Sequence, residues 1–342
     1  MPIQPVIQKD IAKACGFTTA TVSMALRDDH RIPEATREKI KRMAAKLGYR
    51  PDPALSALAA YRSRNRPTGK RETIGILNAW PMENSLPAFF QEHVDYACER
   101  ADQLGYETEL FSVPDSGKEQ ARLSRMLDAR NVRGLLVGPV PVDRPEVHLD
   151  WRRFSATTIG YSLRFPELHF AASNHLQTVE TAYNLLESRG YRRIGYCSTA
   201  SMEQRNRHLY ACGYLKCLLV RGIAQSDRPP LIEEDISKSQ FEEWMNRWQF
   251  DAIIIRHFSW LPDIAMRSSK SSIPFGIVTI GHSHPYYSGI AEDWRGVGIA
   301  AMNLLHQMLL IGERGIPEHR RSVQIDGIWE DRGSAQEISS FR

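Results

Sequence analysis

Apolar residues in the first fifty positions recur at the spacing of short helices. The pattern predicts one helix over 8–15 and a second over 19–26, because the apolar positions of each segment share one side. Gly16, between them, suits a tight turn with positive φ, and Thr18 can cap the second helix. Two short helices that meet at such a turn are typical of a helix-turn-helix.

A third helix is predicted from near Pro33, a residue favoured at the first helical position, to a stop at Gly48. The outer face of the second helix is small and polar, as in a helix that enters the major groove, although a solvated face on a plain three-helix core is the alternative. The three helices could share a small core. Its predicted members are Ile11, Ala12, Cys15, Val22, Ala25, Leu26, Ile40, Met43, Ala44 and Leu47.

A short Ala/Leu-rich segment over 54–60 follows two prolines, Pro51 and Pro53, which stop the third helix. The segment is too short to be a stable helix alone, so we expect it to fold only against DNA or a second copy of the chain. A basic linker comes next, formed by Arg62, Arg64, Arg66, Lys70 and Arg71.

From residue 73 onward, short apolar runs alternate with amphipathic segments of helical length. This alternation predicts an α/β fold with parallel sheets and helices on both faces, and the length suits two lobes better than one. We expect a ligand cleft between the lobes, beyond the carboxyl ends of the strands. The predicted strands cover 73–79, 106–111, 134–137, 157–160, 170–173, 193–197, 251–255 and 277–281, and the predicted helices cover 88–104, 119–130, 176–189, 206–221 and 298–311.

The formal net charge of +4 hides an asymmetry. Residues 1–71 hold 15 Lys and Arg against 6 Asp and Glu, whereas the rest of the chain holds 29 against 34. A basic N-terminal part therefore precedes a mildly acidic body. Because a basic surface attracts phosphate backbones whatever their sequence, this asymmetry favours nucleic acid as a partner.

Several other classes of protein do not fit this composition. No apolar run approaches the ~18 residues of a membrane helix, and the first residues lack an apolar stretch before a small-residue cleavage site. The five cysteines are scattered without a CxxC pair, so neither a zinc cluster nor a disulfide framework is indicated. We therefore expect a cytoplasmic protein without a metal or another cofactor.

Three motifs of the N-terminal part resemble the headpiece of the lactose-repressor/galactose-repressor (LacI/GalR) family of bacterial transcription regulators. They are DIAKACGFTTATVSMAL at 10–26, PEATREKI at 33–40 and LGYRP at 47–51. The resemblance implies that the second helix reads DNA and that 53–60 is a hinge helix whose Leu58 enters the minor groove as a wedge. The residues it assigns to DNA are Thr18, Thr19, Ala20, Thr21, Ser23, Met24, Arg27, Arg31 and Leu58.

The body resembles the two-lobed sensor that these regulators share with periplasmic sugar-binding proteins. The motifs that carry this resemblance are TIGIL at 73–77, ESRGYRRIGY at 187–196 and IDGIWEDRGS at 325–334. The implied domains are a headpiece over 1–52, a hinge and linker over 53–72, and a sensor and dimerisation domain over 73–342. Within the sensor, the implied N-lobe covers about 73–172 and 293–323, and the C-lobe about 176–290 and 324–342, with crossings near 172–176, 290–293 and 322–325.

The positions where this family contacts its effector depart from the usual charged residues. Ser173 and Ser283 stand where aspartates are common, Tyr210 replaces an arginine, and Arg256 with His257 replaces an Asn-Asp pair. The arginine could pair with an anionic effector, and aromatic side chains could stack on a sugar or simply pack. The candidate effector residues are Trp80, Phe90, Tyr161, Ser173, Tyr210, Arg256, His257 and Ser283, with His282 and Trp294 beside them.

An enzyme is the weaker interpretation, since no G-x-S-x-G elbow, Walker loop or GxGxxG occurs and the polar cluster at 282–284 lacks a further metal ligand. A solute-binding protein without a role on DNA is another alternative. The sequence thus predicts a DNA-binding regulator, interpreted as a repressor, that binds a near-palindromic operator as a homodimer. A small effector of the sugar class is expected in the cleft, and a locked cleft that binds nothing is the open alternative.

Overall fold

The computed structural model describes residues 6–26, 32–49, 71–80, 88–256, 258, 260–261 and 275–338. Three helices form its N-terminal part: α1 (Gln8–Cys15), α2 (Thr19–Leu26) and α3 (Glu34–Lys46). The predicted bounds of α1 and α2 are confirmed. Gly16 ends α1 at a φ of +73°, a conformation that glycine adopts without steric cost. The predicted hinge helix over 53–60 lies outside the described residues.

A small apolar core joins these three helices. The predicted core is confirmed for seven buried residues, while Leu26 and Met43 are half-buried against it. Leu47 was wrongly assigned to the core, because it follows the last turn of α3 and is 36% exposed. The buried members are Ile11, Ala12, Cys15, Val22, Ala25, Ile40 and Ala44, to which the structure adds Ile32.

Two six-stranded sheets form the body in the described residues, as the βα alternation predicts. In chain order the strands β1 to β12 are Glu72–Asn78, Tyr106–Ser112, Gly134–Val137, Ser155–Ile159, His169–Ser173, Ile194–Ser198, Leu231–Ile232, Ala252–Ile255, Gly276–Gly281, Ser288–Ala291, Ser322–Ile325 and Ile328–Glu330. The first sheet has the strand order β11-β5-β4-β3-β1-β2, and its strand pairs are parallel. The second sheet has the order β12-β10-β9-β8-β6-β7, and among these described strands only β12 runs antiparallel to its neighbour.

Helices cover these sheets, and close approach of two of them requires a glycine. The helix Trp294–Ile311 packs against the helix Ala88–Gln103, where a Cβ on Gly298 would lie 2.2 Å from the carbonyl oxygen of His93. Apolar residues of both helices pack together in one cluster against strands of the first sheet. The other helices of the body are Gly117–Ala129, His175–Ser188, Ala200–Arg205, Leu209–Val220 and Lys238–Trp248.

The chain changes sheet three times. It leaves the first sheet after β5, returns after β10, and leaves again between β11 and β12. The last change follows Ile325, which still pairs with Ser173 of β5. The three connections bring the carboxyl ends of strands from both sheets together. In the described ranges, no helix is long and apolar enough to span a membrane.

Candidate DNA interface and effector cleft

The N-terminal end of α2 is exposed, and hydrogen bonds between two threonines stabilise its first turn. The Oγ1 atoms of Thr18 and Thr21 lie 2.9 Å apart, and Oγ1 of Thr18 also accepts a hydrogen bond from the Thr21 amide at 3.1 Å. Thr18, Thr19 and Ala20 are exposed and Thr21 is half-buried. Short side chains on such a face allow a helix to come close to base edges in the major groove.

Further along α2, the candidate DNA contacts are less accessible. Ser23 and Met24 are half-buried, and Met24 packs in part against the headpiece core. Only part of this thioether side chain is therefore available for an apolar contact such as a thymine methyl. The other three candidates, Arg27, Arg31 and Leu58, lie outside the described residues.

A cleft that encloses a cavity of about 90 Å³ lies between the two sheets. Tyr161, which follows β4, and Ser173, the last residue of β5, line it from one side. Arg256 after β8, His282 after β9 and Glu292 after β10 line it from the other. This is the place where α/β folds bind ligands, beyond the carboxyl ends of parallel strands.

Glu292 brings a buried carboxylate into the cleft, with a side chain that is 9% exposed. Its Oε1 lies 2.9 Å from Nδ1 of His175 and accepts a hydrogen bond from the Tyr210 hydroxyl, while Trp294 donates to Oε2 at 3.4 Å. Burial alone would raise the pKa of this carboxyl. The charge of His175, these hydrogen bonds and the charge of Arg256 instead hold the pKa well below its usual value, so the group is ionised.

A flat wall of rings forms another part of the cleft. The His93 ring stacks on Trp294 with centroids 5.1 Å apart, and His282 meets the same indole edge-on at 4.3 Å. Burial lowers the pKa of His93 to about 4; nearby Glu292 opposes this shift, whereas His282 and His175 add to it. His93 is therefore uncharged near neutral pH and presents an apolar face.

Two arginines line the cleft, Arg205 and Arg256. The Arg205 guanidinium donates to the Val140 carbonyl at 3.1 Å and lies 5.3 Å from the ring centroid of Trp80. Arg256 donates to the Tyr210 hydroxyl at 3.5 Å. Burial, and then the charge of Arg256, lower the pKa of the Arg205 guanidinium, so each cation contributes to the field at the other.

Three arginines bind backbone carbonyls across the cleft, and we call them the arginine latch. Arg205 donates to Val140, and Arg207 donates to Tyr161 and to Leu163, both at 3.3 Å. In the opposite direction, Arg164 donates at 2.7 Å to the carbonyl of Gln204. Arg207 itself adopts a positive φ of 56°, which is unfavourable for a side chain of this kind. The latch holds the segment after β6 against the first sheet's loops.

The structure brings most of the effector candidates together. Phe90, Tyr161, Ser173, Tyr210 and Arg256 line the cleft, with His282 and Trp294. Tyr210 also belongs to the apolar cluster of the second sheet. Its side chain therefore both packs in that core and lines the cleft.

Three effector candidates lie elsewhere or outside the described residues. Trp80 lies beside the cleft rather than in its lining, because its Nε1 donates to the Pro139 carbonyl at 2.7 Å and its ring packs on Phe90. Ser283 is exposed and donates to Glu330 at 2.5 Å, away from the lining residues. His257 is not among the described residues.

The sequence candidates did not include Glu292, His175, His93 or Arg205, all of which line the cleft. Glu292 directly follows the four-residue strand β10, which is too short to stand out as an apolar run. The signal that could have identified Glu292 is its position directly after the carboxyl end of a strand, where α/β folds bind ligands. Within the described ranges, no group of three or more His, Cys, Asp or Glu is arranged to hold a metal ion.

A helix-turn-helix headpiece followed by a two-sheet body with a cleft is the architecture of DNA-binding regulators whose body has the periplasmic-binding-protein fold. Residues 8–52 match the model of the bacterial regulatory proteins of the lacI family. The headpiece therefore carries a DNA-binding domain of the lacI type, as the motifs at 10–26, 33–40 and 47–51 predicted.

Curated relatives of the chain are transcriptional regulators rather than enzymes. The regulator DegA of Bacillus subtilis (strain 168) is 29% identical over 127 residues, which cover 37% of this chain and 34% of DegA. The regulator AscG of Escherichia coli (strain K12) is 22% identical over 221 residues, 64% of this chain and 62% of AscG. The chain thus spans about a third of one relative's length and less than two thirds of the other's.

Solved structures show the same fold over nearly the whole chain. The Lac repressor dimer bound to operator and the anti-inducer ONPF aligns with a TM-score of 0.57 at 18% identity, over 97% of this chain and 100% of that one. The complex of the regulator CelR with cellobiose aligns with a TM-score of 0.55 at 19% identity, over 96% and 99%. These similarities confirm the predicted fold class.

Proposed function

We propose that this protein is a transcriptional repressor that binds a near-palindromic operator as a homodimer in the cytoplasm. The observation that carries the proposal is the exposed N-terminal face of α2, within a headpiece of the lacI family. A two-fold symmetric dimer reads a two-fold symmetric site, because each headpiece contacts one half-site. The Lac repressor, which shares the fold, is bound to its operator as a dimer.

A small molecule in the cleft is proposed to control DNA binding. CelR, which has a similar fold, forms a complex with cellobiose. The aromatic rings and polar groups that line the cleft of the present protein suit a sugar or a sugar derivative. A ligand that prefers one arrangement of the two lobes shifts the population toward it by its differential affinity. The expected hinge over 53–60 connects the headpiece to the body. A movement of the lobes would therefore change the distance between the two hinge segments of a dimer.

Selection of binding sites from random double-stranded DNA by the full-length protein tests the first proposal. Enriched sequences should contain two inverted half-sites, and enrichment of unrelated or asymmetric sequences would contradict the assignment. Ala20→Asp places a negative charge on the proposed interface and should weaken operator binding about tenfold or more. Ala35→Asp is the matched control, since both alanines are exposed second residues of their helices.

The engaged Glu292 carboxylate and the arginine latch favour a second candidate, a regulator whose cleft is locked and takes no ligand. Such a protein would bind its operator with an affinity that no small molecule alters. A thermal-shift screen of sugars and sugar acids separates the two candidates, because a ligand that binds only the folded state raises Tm.

A further inference from the structure

Three arginines lie at the junction of the two lobes, outside the set of residues that line the cleft. Arg164 belongs to the loop between β4 and β5, Arg320 precedes β11, and Arg207 follows the helix Ala200–Arg205 of the other lobe. The strands β5 and β11 form the edge of the first sheet that lies away from β1. All three arginines are half-buried. We call them the arginine cluster.

Two members of the cluster are fixed by main-chain carbonyls of the opposite lobe. Arg207 donates through Nε to the carbonyl of Tyr161 and through Nη2 to that of Leu163, both at 3.3 Å. Arg164 donates through Nη2 to the carbonyl of Gln204 at 2.7 Å. These hydrogen bonds place the two guanidinium groups on either side of the lobe boundary. Because a carbonyl carries no net charge, the bonds leave both positive charges uncompensated.

Arg320 lies against the same loop through an aromatic contact. Its guanidinium carbon is 4.1 Å from the ring centroid of Phe170, and that ring meets Tyr161 edge-on with centroids 5.3 Å apart. Its buried Nε has no hydrogen-bond partner among the described residues. The ion pair of Arg320 with Glu167 is long, at 3.7 Å, and the Glu167 side chain is 65% exposed. A pair so open to solvent contributes little.

The positive charges of the cluster act on one another. Burial, and then the charge of Arg207, lower the pKa of the Arg164 guanidinium. Burial also lowers the pKa of Arg320, and the charges of Arg207 and Arg164 add to this shift. The charges of Glu167 and Tyr161 oppose it. The three guanidinium groups are therefore close enough to repel one another in a partly desolvated place.

This arrangement suits an anion with more than one negative charge. Within the described ranges, Glu167 is the one carboxylate whose oxygen lies within 4.0 Å of a cluster nitrogen. A guanidinium has five N–H donors, of which Arg207 uses two and Arg164 uses one in the bonds above. Donors from three chain segments match a tetrahedral oxyanion, and a phosphate group brings about two negative charges. A carboxylate is planar and brings only one.

We infer that Arg164, Arg207 and Arg320 bind a phosphate group at the junction of the two lobes, at a site separate from the cleft. The phosphate connects Arg207 of one lobe with the two arginines of the other, and so it reinforces the contacts of the arginine latch. Inorganic phosphate and the phosphate group of a small metabolite share this chemistry. The inference depends neither on operator binding nor on an effector in the cleft.

Titration calorimetry on the full-length protein without DNA tests this inference. The probes are inorganic phosphate, glycerol 3-phosphate and, as a neutral counterpart, glycerol, in chloride buffer at constant ionic strength. We expect saturable binding of phosphate at one site per chain and no binding of glycerol. Saturation is the required signal, because phosphate also stabilises folded proteins without binding to a site. Tighter binding of glycerol 3-phosphate assigns the site to a metabolite, and equal or weaker binding assigns it to free phosphate.

Variants assign the bound phosphate to the cluster. Arg320→Gln leaves the latch hydrogen bonds in place and should lower the affinity about tenfold or more, because it removes a charge-assisted contact. Arg125→Gln, at an exposed arginine in the helix Gly117–Ala129, is the matched control and should bind like the parent. Arg256→Gln should also bind like the parent, since Arg256 lines the cleft. Should Arg320→Gln fail to fold, Arg164→Gln decides against the same two controls.

Three results would overturn the inference. Neither phosphate probe shows saturable binding, the cluster variants bind phosphate like the parent, or Arg256→Gln weakens binding as much as they do, which would place the anion in the cleft. Since no DNA is present, these results leave the proposed operator binding untouched. Conversely, a failed site selection on random DNA would remove the repressor assignment while phosphate binding still stood.

Discussion

Acid should weaken the fold through His93, whose side chain is buried in the cleft wall with a relative exposure of 9%. Burial lowers its pKa from 6.5 to about 4 in the folded protein; Glu292 opposes this shift, while His282 and His175 contribute to it. In the unfolded chain, the same group takes up a proton near pH 6.5. As pH falls below 6.5, protons therefore bind the unfolded chain first, and stability is lost until pH falls below about 4.

The magnitude follows from the two pKa values. One pKa unit corresponds to about 1.4 kcal/mol, so a fall from 6.5 to about 4 costs about 3 kcal/mol when fully expressed. By pH 5 the expected loss from this group is about 2 kcal/mol relative to pH 7.5. The carboxyl of Glu292, whose pKa lies well below its usual value in the folded protein, adds a smaller loss of the same sign, because the unfolded chain begins to protonate this group as pH approaches 5.

Urea unfolding between pH 7.5 and pH 5 measures this slope. His93→Gln removes the titrating group and should flatten the dependence of the unfolding midpoint on pH relative to the parent. His319→Gln, at an exposed histidine, should leave the dependence unchanged. Equal slopes in the parent and in His93→Gln would refute the argument that burial of this ring sets its pKa.

Two further predictions concern packing and DNA. Gly298→Ala should lower stability by roughly 1–3 kcal/mol in thermal unfolding, because its Cβ would lie 2.2 Å from the His93 carbonyl oxygen. Gly117→Ala, where nothing lies within 4 Å, should change it little, and equal effects would contradict the packing argument. Leu58→Ala should weaken specific operator binding far more than non-specific binding in titrations at fixed salt, and an equal loss of both would exclude a minor-groove wedge.

The helix-turn-helix could be predicted to the residue because its signals are local. Gly16 ends α1 in a conformation that suits glycine, and the Thr18 hydroxyl binds the backbone of the next turn. The strand-helix alternation likewise follows from apolar runs along the chain. The helix Lys238–Trp248 was missed although it has a local signal, a capping box between Ser237 and Gln240.

The residues that line the cleft could be predicted only in part, because they depend on which strands end next to each other in the folded sheets. Tyr210 and Arg256 were found through a resemblance, whereas Glu292 follows a short strand whose neighbours only the folded sheet defines. Ser283 lies two residues from the end of its strand, yet it turns to Glu330 rather than toward the cleft. The direction of such a side chain and the neighbours of a strand are set by tertiary packing, which produces no periodic pattern in the sequence.

The arginine latch has a genetic consequence. Its donors are the side chains of Arg164, Arg205 and Arg207, but its acceptors are main-chain carbonyls, which every residue type carries. Random mutation can therefore remove a latch bond readily at the three donors and hardly at all at Val140, Tyr161 or Leu163. Substitutions that break latch bonds, and so alter the balance between lobe arrangements, should accordingly concentrate at a few arginine codons on both sides of the cleft, whereas substitutions at the buried residues opposite them should act through packing.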